Sequence, residues 1–556
     1  MAFQQLIVTS GSTQTSQAER RSANYKPTIW SYDFVKSLRS EYKEEIYARQ
    51  AHKMKDEVKC LISGVMDPLA KLELIDIIQR LGLKYQFEAE IKKAIEVIYK
   101  DTNNTWLVDN LHATAIWFRL LRQHGYDVPQ DVFKRFRDET GNFRASLSED
   151  VEGLLHLYEA SFLGFEGENI IEEAKTFTTE HLKNIIGDIS PTLARKVAHA
   201  LDMPLHWRFA RLEARWFIDS YAQEQNMNPT LIQLAKFDYN MVQSIHRKEV
   251  RKLASWWVEM GLDKMSFTRD RLVEHYFWSM GILFEPEYGP FRYMGTKVIC
   301  FVTVIDDIYD VYGSLEELEL FTDFVYRWDV SEIHKLPCNI KTCLLAMYNT
   351  SNEIGYWTLK ERGFNIIPYL SKAWADLCKA YLKEAKWYHG GYKPTLEEYL
   401  ANAVVSIAGP LVLLCCYFLT TDKITEEALN YIDKLPSIIR CSSMLARLTN
   451  DLGTSSDELA RGDNPKSIQC YINETGASEA MAREYIKSLI DETWKTLNED
   501  MLKRYPFSEP FLSAIPNTGR ISQCFYQHGD GHGVPDTWTR DHLISLLVNP
   551  IPFKEW

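Results

Sequence analysis

Two acidic clusters about 140 residues apart carry the chemistry this chain could do. The first is Asp306-Asp307-Ile308-Tyr309-Asp310; the second runs from Asn450-Asp451 through Thr454 to Glu458. On a helix, Asp306 and Asp310 are four residues apart and share a face, with Asp307 three residues from Asp310. Asn450, Thr454 and Glu458 recur every four residues and offer oxygen donors only. Hard oxygen ligands suit Mg²⁺ or Mn²⁺ rather than zinc, and Mg²⁺ completes its shell with waters and substrate phosphates. Two facing half-sites of this kind suggest a diphosphate held between them. An isolated D-D-x-x-D is more often a solvated acidic face. Here Phe301-Val302-Thr303-Val304-Ile305 leads directly into Asp306. The acids therefore end an apolar segment, where unpaired carboxylates are costly unless a cation collects them. The spacing and closing Glu of an EF-hand loop are missing.

Basic residues supply the other half of such a site. Arg269-Asp270-Arg271 lies 37 residues before Asp306, and Lys466 follows Asn450 by 16. Taken singly, basic residues are usually surface charges. Arg447 differs, because Met444-Leu445-Ala446-Arg447-Leu448 is otherwise apolar and the three-residue offset puts it on the Asn450 face. Arginine is the natural bidentate clamp for phosphate. Metal ions and guanidinium groups together stabilise a diphosphate leaving group as its charge develops.

The elements that must position these residues are helical. Residues 71–83, 112–121, 154–162 and 211–221 show a 3.6-residue amphipathic period, and alternating β-branched runs are scarce, so the fold class is all-α. The polar turn 224–229, ending in Pro229, is the candidate boundary. It divides the chain into a flexible segment 1–30, an N-terminal α-domain 31–227 and a metal-binding α-domain 228–556. The longest apolar stretch, Ala403 to Leu419, is broken at Gly409-Pro410 and is expected to be a buried kinked helix, not a membrane span. A net charge of −13 argues against a nucleic-acid partner. Ten cysteines without C-x-x-C spacing fit reduced thiols. Residues 1–19 hold no Lys or Arg, so a cytoplasmic location is expected, with a Ser-rich plastid leader as the alternative. Most of the 15 Trp and 29 Tyr are core residues, but aromatic faces beside a diphosphate site also stabilise a carbocation.

With these residues in place the chain resembles a plant class I terpene synthase. Asp306–Asp310 matches the D-D-x-x-D motif, Asn450–Glu458 the second metal motif, Arg269-Asp270-Arg271 the R-x-R motif, and Arg20-Arg21 with Trp30 the R-R-x8-W signature. The resemblance implies an N-terminal α-barrel-like domain and a C-terminal α-bundle holding three Mg²⁺ ions, with Mn²⁺ as a substitute. It implies that Asp306, Asp307 and Asp310 hold two metals and Asn450, Thr454 and Glu458 the third. Arg269, Arg271, Arg447 and Lys466 would handle the diphosphate, and Arg20 and Arg21 would close the site over substrate. Trp278 would face cationic intermediates. The Gly409-Pro410 break matches a kinked helix whose freed carbonyls point into the pocket. His528 to Gly533 matches a closing loop, in which His532 is either a proton acceptor or a structural residue.

Within the family the chain is similar to the angiosperm clade of mostly monoterpene synthases, closest to santalene-synthase-like and limonene-synthase-like enzymes. Isoprene-type pockets are narrowed by two Phe where this chain has Ile299 and Ala446, which argues against isoprene formation. The expected reaction is Mg²⁺-dependent ionisation of an allylic prenyl diphosphate by a monomer. Farnesyl diphosphate is slightly preferred, with geranyl diphosphate as the alternative. The Asn450/Thr454/Glu458 pattern argues against a chain-elongating prenyltransferase, and the missing D-x-D-D motif against a class II cyclase. A catalytically silent α-scaffold is the remote remaining reading.

Overall fold

A computed structural model describes residues 20–39, 42, 44–101, 104–461, 463–532 and 537–552. The polar residues 1–19 and Gly533 of the closing loop lie outside the described residues. Among the described residues the chain is helical throughout, with one isolated bridge between Arg137 and Phe143.

The N-terminal half follows the sequence pattern closely. A short helix α1 (Tyr32–Ser37) precedes the amphipathic elements. Helix α2 (Pro68–Arg80) starts three residues earlier than its apolar period, because Asp67 caps the Ala70 N–H and Pro68 takes the first turn. Helices α3 (Leu111–Gln123), α4 (Val151–Ser161) and α5 (Ala210–Tyr221) cover the other predicted segments, except that Phe162 is the C-cap of α4. The 224–228 turn then leads into α6 (Pro229–Glu259), whose Asn228 cap accepts from Leu231 N–H.

The second half is a bundle around a cavity. Its walls are α7 (Leu272–Ile282), α8 (Gly289–Asp307), α10 (Ile367–Gly390), α11 (Leu396–Ser406), α12 (Gly409–Thr420), α13 (Ser437–Arg461) and α15 (Glu509–Tyr526). Between α8 and α10, α9 (Leu315–Arg327) opens on a capping box of Ser314 and Glu317. The short α14 (Ser467–Thr475) follows α13 and is preceded by Lys466. Helix α13 packs on α15 and on the helix Glu479–Asp500, while α7 packs on α8 and α15.

Leu396–Thr420 is long and apolar enough to cross a membrane, yet 78% of its apolar 18-residue window is buried inside the protein. It is also interrupted where expected: Ala408 adopts φ +63°, and α12 begins at Gly409-Pro410. Glycine is required there, since a Cβ on Gly409 would lie 2.4 Å from Ser443 Oγ. The break is therefore held by close packing of α12 on α13.

Candidate active site

A cavity lies within the bundle, lined by side chains from all seven of these wall helices. Its floor is apolar and aromatic: Trp278, Ile282, Ile299, Val302, Val412 and Ala446. Its mouth carries Asp306 and Asp310 on one wall, Asn450, Thr454 and Glu458 on another, and Arg269, Arg447 and Lys466 between them. Ten of the residues singled out in the sequence thus meet here, counting Trp278 and His532.

The first wall is not a continuous α-helix. α8 ends at Asp307, and Ile308–Tyr312 forms a π-turn closed by Gly313 N–H on Ile308 C=O at 2.8 Å. Asp306 and Asp310 face the cavity, but Asp307 does not line it. Arg269 N–H donates to Asp307 at 2.7 Å, its guanidinium is 2.9 Å from the same carboxylate, and Tyr25 bonds to it as well. Asp307, for which a metal role was expected, is fully buried beside Arg269 and does not open onto the cavity. Arg269 also donates to Asp306 at 2.6 Å.

The second wall is regular α13. Arg447 donates to Asn450 at 3.1 Å and to Ser406 Oγ at 3.1 Å. The neighbouring Asp451 is withdrawn into the core, accepting from Tyr399 at 3.0 Å and from Ser467 N–H at 3.1 Å. Gly453 faces the closing loop, where a Cβ would sit 3.0 Å from Gly529 C=O.

The residues present fit a divalent cation. Thr454 Oγ1 and Glu458 Oε2 are buried without a hydrogen-bond partner. Burial and the nearby Asp306 carboxylate push the Asp310 acid well above its ordinary range, and Lys466 offsets this only in part. Among the described residues no three acidic, His or Cys side chains converge on one point. Each wall is therefore a partial ligand set that diphosphate oxygens and water would complete. Burial acts to lower the Arg447 and Lys466 pKa values, but the surrounding acids more than offset it, so both remain cations.

Three predicted residues serve support instead of contacting the cavity. Arg271 is fully buried and donates to His532 C=O at 2.6 Å, Asp270 C=O at 2.7 Å and Lys26 C=O at 2.8 Å. It clasps the N-terminal strap and the closing loop together. Arg20 pairs with the capping carboxylate Glu317 at 2.9 Å and donates to Tyr312 C=O at 3.0 Å. Arg21 donates to the Asp310 carbonyl and lies over the Tyr388 ring. These ties, with Trp30 Nε1–H on Glu274 at 2.9 Å, strap residues 20–32 across the first wall.

His532 lines the cavity with its ring stacked on Trp278 at 6.2 Å and 4.4 Å from the Phe525 centroid. Burial, His275 and the arginines Arg269 and Arg271 push its pKa well below the usual value, so the imidazole is neutral. Its Nδ1 is buried without a partner. Lining residues that the sequence did not single out include Glu384, Ser406, Tyr526 and Asp530. No fixed spacing marks them; the only sequence signal for Glu384 was a carboxylate at a position that α10 turns inward.

A helical bundle with an apolar pocket, two acidic walls and a cationic rim defines a metal-dependent enzyme acting on an apolar diphosphate. The chain belongs to the terpene synthase family. Residues 258–496 match the description "Terpene synthase family, metal binding domain", and residues 29–201 match "Terpene synthase, N-terminal domain". A (+)-alpha-terpineol synthase of Santalum album and a beta-bisabolene synthase of Santalum austrocaledonicum are each 54% identical over 553 residues, 99% of this chain and 96% of theirs. Among solved structures, limonene synthase with 2-fluorolinalyl diphosphate superposes with a TM-score of 0.93 at 42% identity, covering 96% of this chain and all of that one. Grey poplar isoprene synthase with three Mg²⁺ ions and dimethylallyl-S-thiolodiphosphate gives 0.88 at 46% identity, covering 94% of this chain and 99% of that one.

Proposed function

We propose that this enzyme ionises an allylic prenyl diphosphate with three Mg²⁺ ions and slightly prefers the fifteen-carbon farnesyl diphosphate. The observation that supports the chain-length preference is the small Ala446 side chain in the apolar cavity floor. Relatives of equal identity include both monoterpene and sesquiterpene synthases, so geranyl diphosphate stays the second reading.

Asp306 and Asp310 on one wall, and Asn450, Thr454 and Glu458 on the other, would hold the metals, which supply charge neutralisation for the leaving diphosphate. Arg269, Arg447 and Lys466 bind the diphosphate and keep it at the mouth as the carbon–oxygen bond breaks. The allylic cation is left over Trp278, whose π face attracts positive charge. Arg271 holds the strap and the closing loop shut, which excludes water from the cation. The final proton goes to neutral His532 or to diphosphate itself.

Purified protein incubated separately with geranyl, farnesyl and dimethylallyl diphosphates, with Mg²⁺ or chelator, tests this by gas chromatography with mass spectrometry. Mg²⁺-dependent fifteen-carbon products at competitive kcat/KM support the preference. Ten-carbon products alone would make the enzyme a monoterpene synthase.

A further inference from the structure

The cavity lining holds two carboxylates that belong to neither acidic motif, Asp530 on the closing loop and Glu384 on α10. Glu384 projects from α10 into the cavity lining and is only 3% exposed. Its Oε1 accepts from Ser406 Oγ at 2.6 Å and from Asn402 Nδ2 at 2.8 Å. Its Oε2 lies 3.9 Å from Lys466 Nζ. Ser406 in turn accepts from Arg447 Nη2 at 3.1 Å. The hydroxyl's single proton goes to Glu384, which leaves its lone pairs for Arg447. One carboxylate is thus joined to both basic residues of the second wall, directly to Lys466 and through Ser406 to Arg447. Ser406 is also the last residue of α11, immediately before the helix break.

We infer that Glu384 is a positioning residue for diphosphate capture, holding Lys466 and Arg447 at their working separation and away from the metal-binding acids. The inference rests on the diphosphate reading above. Its physical basis is the identity of the competing partners. Lys466 also feels Asp310 and Glu458, and Arg447 also feels Asp451 and Glu458. Without the Glu384 charge, both cations are drawn toward carboxylates of the two walls. A pairing of Lys466 with Asp310 or Glu458, or of Arg447 with Glu458, removes a metal ligand and a phosphate donor together. A buried carboxylate outside both motifs, fixed by Asn402 and Ser406, prevents that collapse at no cost in ligands.

Three variants test the inference: Glu384→Gln, which keeps size and removes charge, Ser406→Ala, which cuts only the branch to Arg447, and the double variant. The main readout is the Kd of Mg²⁺ with inorganic diphosphate, measured by calorimetry without prenyl substrate, beside the thermal midpoint of each protein. Glu384→Gln should weaken diphosphate binding about tenfold, as loss of a supporting group commonly does. Ser406→Ala should weaken it about threefold, the effect of one hydrogen bond. The double variant should be no worse than Glu384→Gln alone, since both changes act along one chain of contacts. Unchanged diphosphate affinity in Glu384→Gln, with only a lowered thermal midpoint, would reduce Glu384 to packing and overturn the inference. Fully additive losses would overturn the link through Ser406. A wild-type protein that fails to bind Mg²⁺-diphosphate would sink the functional reading itself.

Discussion

The two acidic walls face one mouth but are built by different means. The Asp306 wall leaves α-geometry for a π-turn at Ile308–Tyr312, whereas the Asn450 wall stays a regular helix through Glu458. Each withdraws one aspartate from the cavity. Asp307 goes to Arg269 and Tyr25, and Asp451 goes to Tyr399 and Ser467 N–H. The difference lies in where those ties lead. Asp307 is joined to the strap that crosses the mouth, while Asp451 is joined to the core helices α11 and α14. One wall is therefore coupled to closure and the other is fixed. Counting carboxylates in a motif overstates its ligands, because a buried ligand set needs anchors of the same chemical type.

The largest expected effect comes from removing a lining ligand on either wall. Asp306→Ala and Glu458→Ala should each reduce turnover on the order of a thousandfold, by loss of charge stabilisation at the leaving group. Thermal midpoints should be nearly unchanged. Normal turnover in Asp306→Ala would remove the metal assignment from that wall.

Next come the withdrawn aspartates, which separate the walls. Removing one partner of a buried ion pair typically costs about 3–5 kcal/mol. Asp307→Ala and Asp451→Ala should both be destabilised on that scale in urea. Only Asp307→Ala should also expose residues 20–39 to limited proteolysis. Equal protease sensitivity in both variants would break the distinction between a coupled and a fixed wall. Arg271→Gln sharpens it further: losing the clasp between Lys26 and His532 carbonyls should raise the share of water-quenched alcohols severalfold. An unaltered hydrocarbon-to-alcohol ratio would show that Arg271 does not govern closure.

Much of this was legible in the sequence, and the remainder has physical reasons for being hidden. Helices such as Leu111–Gln123 follow from apolar period alone, and the Gly409-Pro410 break follows from residue type. The residues lining the mouth follow from spacing. The pairing of Asp307 does not, since its partners Arg269 and Tyr25 lie far away in the chain at no marked spacing. The roles of Arg271 and Arg20 were hidden for another reason: each donates to backbone carbonyls far along the chain, and a carbonyl has no sequence signature. Glu384 depends on Ser406 and Lys466, which only the packing of α10 on α11 and the path into α14 bring near it.

The smallest effect is a dependence of stability on pH, to which buried groups beside the strap and elsewhere contribute. Burial pushes His275 and His206 down to about 3 and Glu274, which accepts from the strap's Trp30, up to about 7. The signs oppose. From pH 6.5 to about 3 the unfolded chain binds protons that buried His275 and His206 refuse, so stability falls as pH falls. From pH 7 to about 4.5 native Glu274 binds a proton the unfolded chain releases, so its contribution rises as pH falls. Each group contributes a slope of at most about 1.4 kcal/mol per pH unit. Between about pH 6.5 and 4.5 Glu274 offsets one of these two histidines, so they lower stability less steeply there than below pH 4.5. Glu274→Gln removes one compensating group, beside Glu159 and Glu285, which burial likewise pushes up to about 7, and should steepen the decline between pH 6.5 and 4.5, as read by urea unfolding across the range. A Glu274→Gln profile that coincides with wild type would mean that the carboxyl under Trp30 is not desolvated, and that the strap does not seal the first wall.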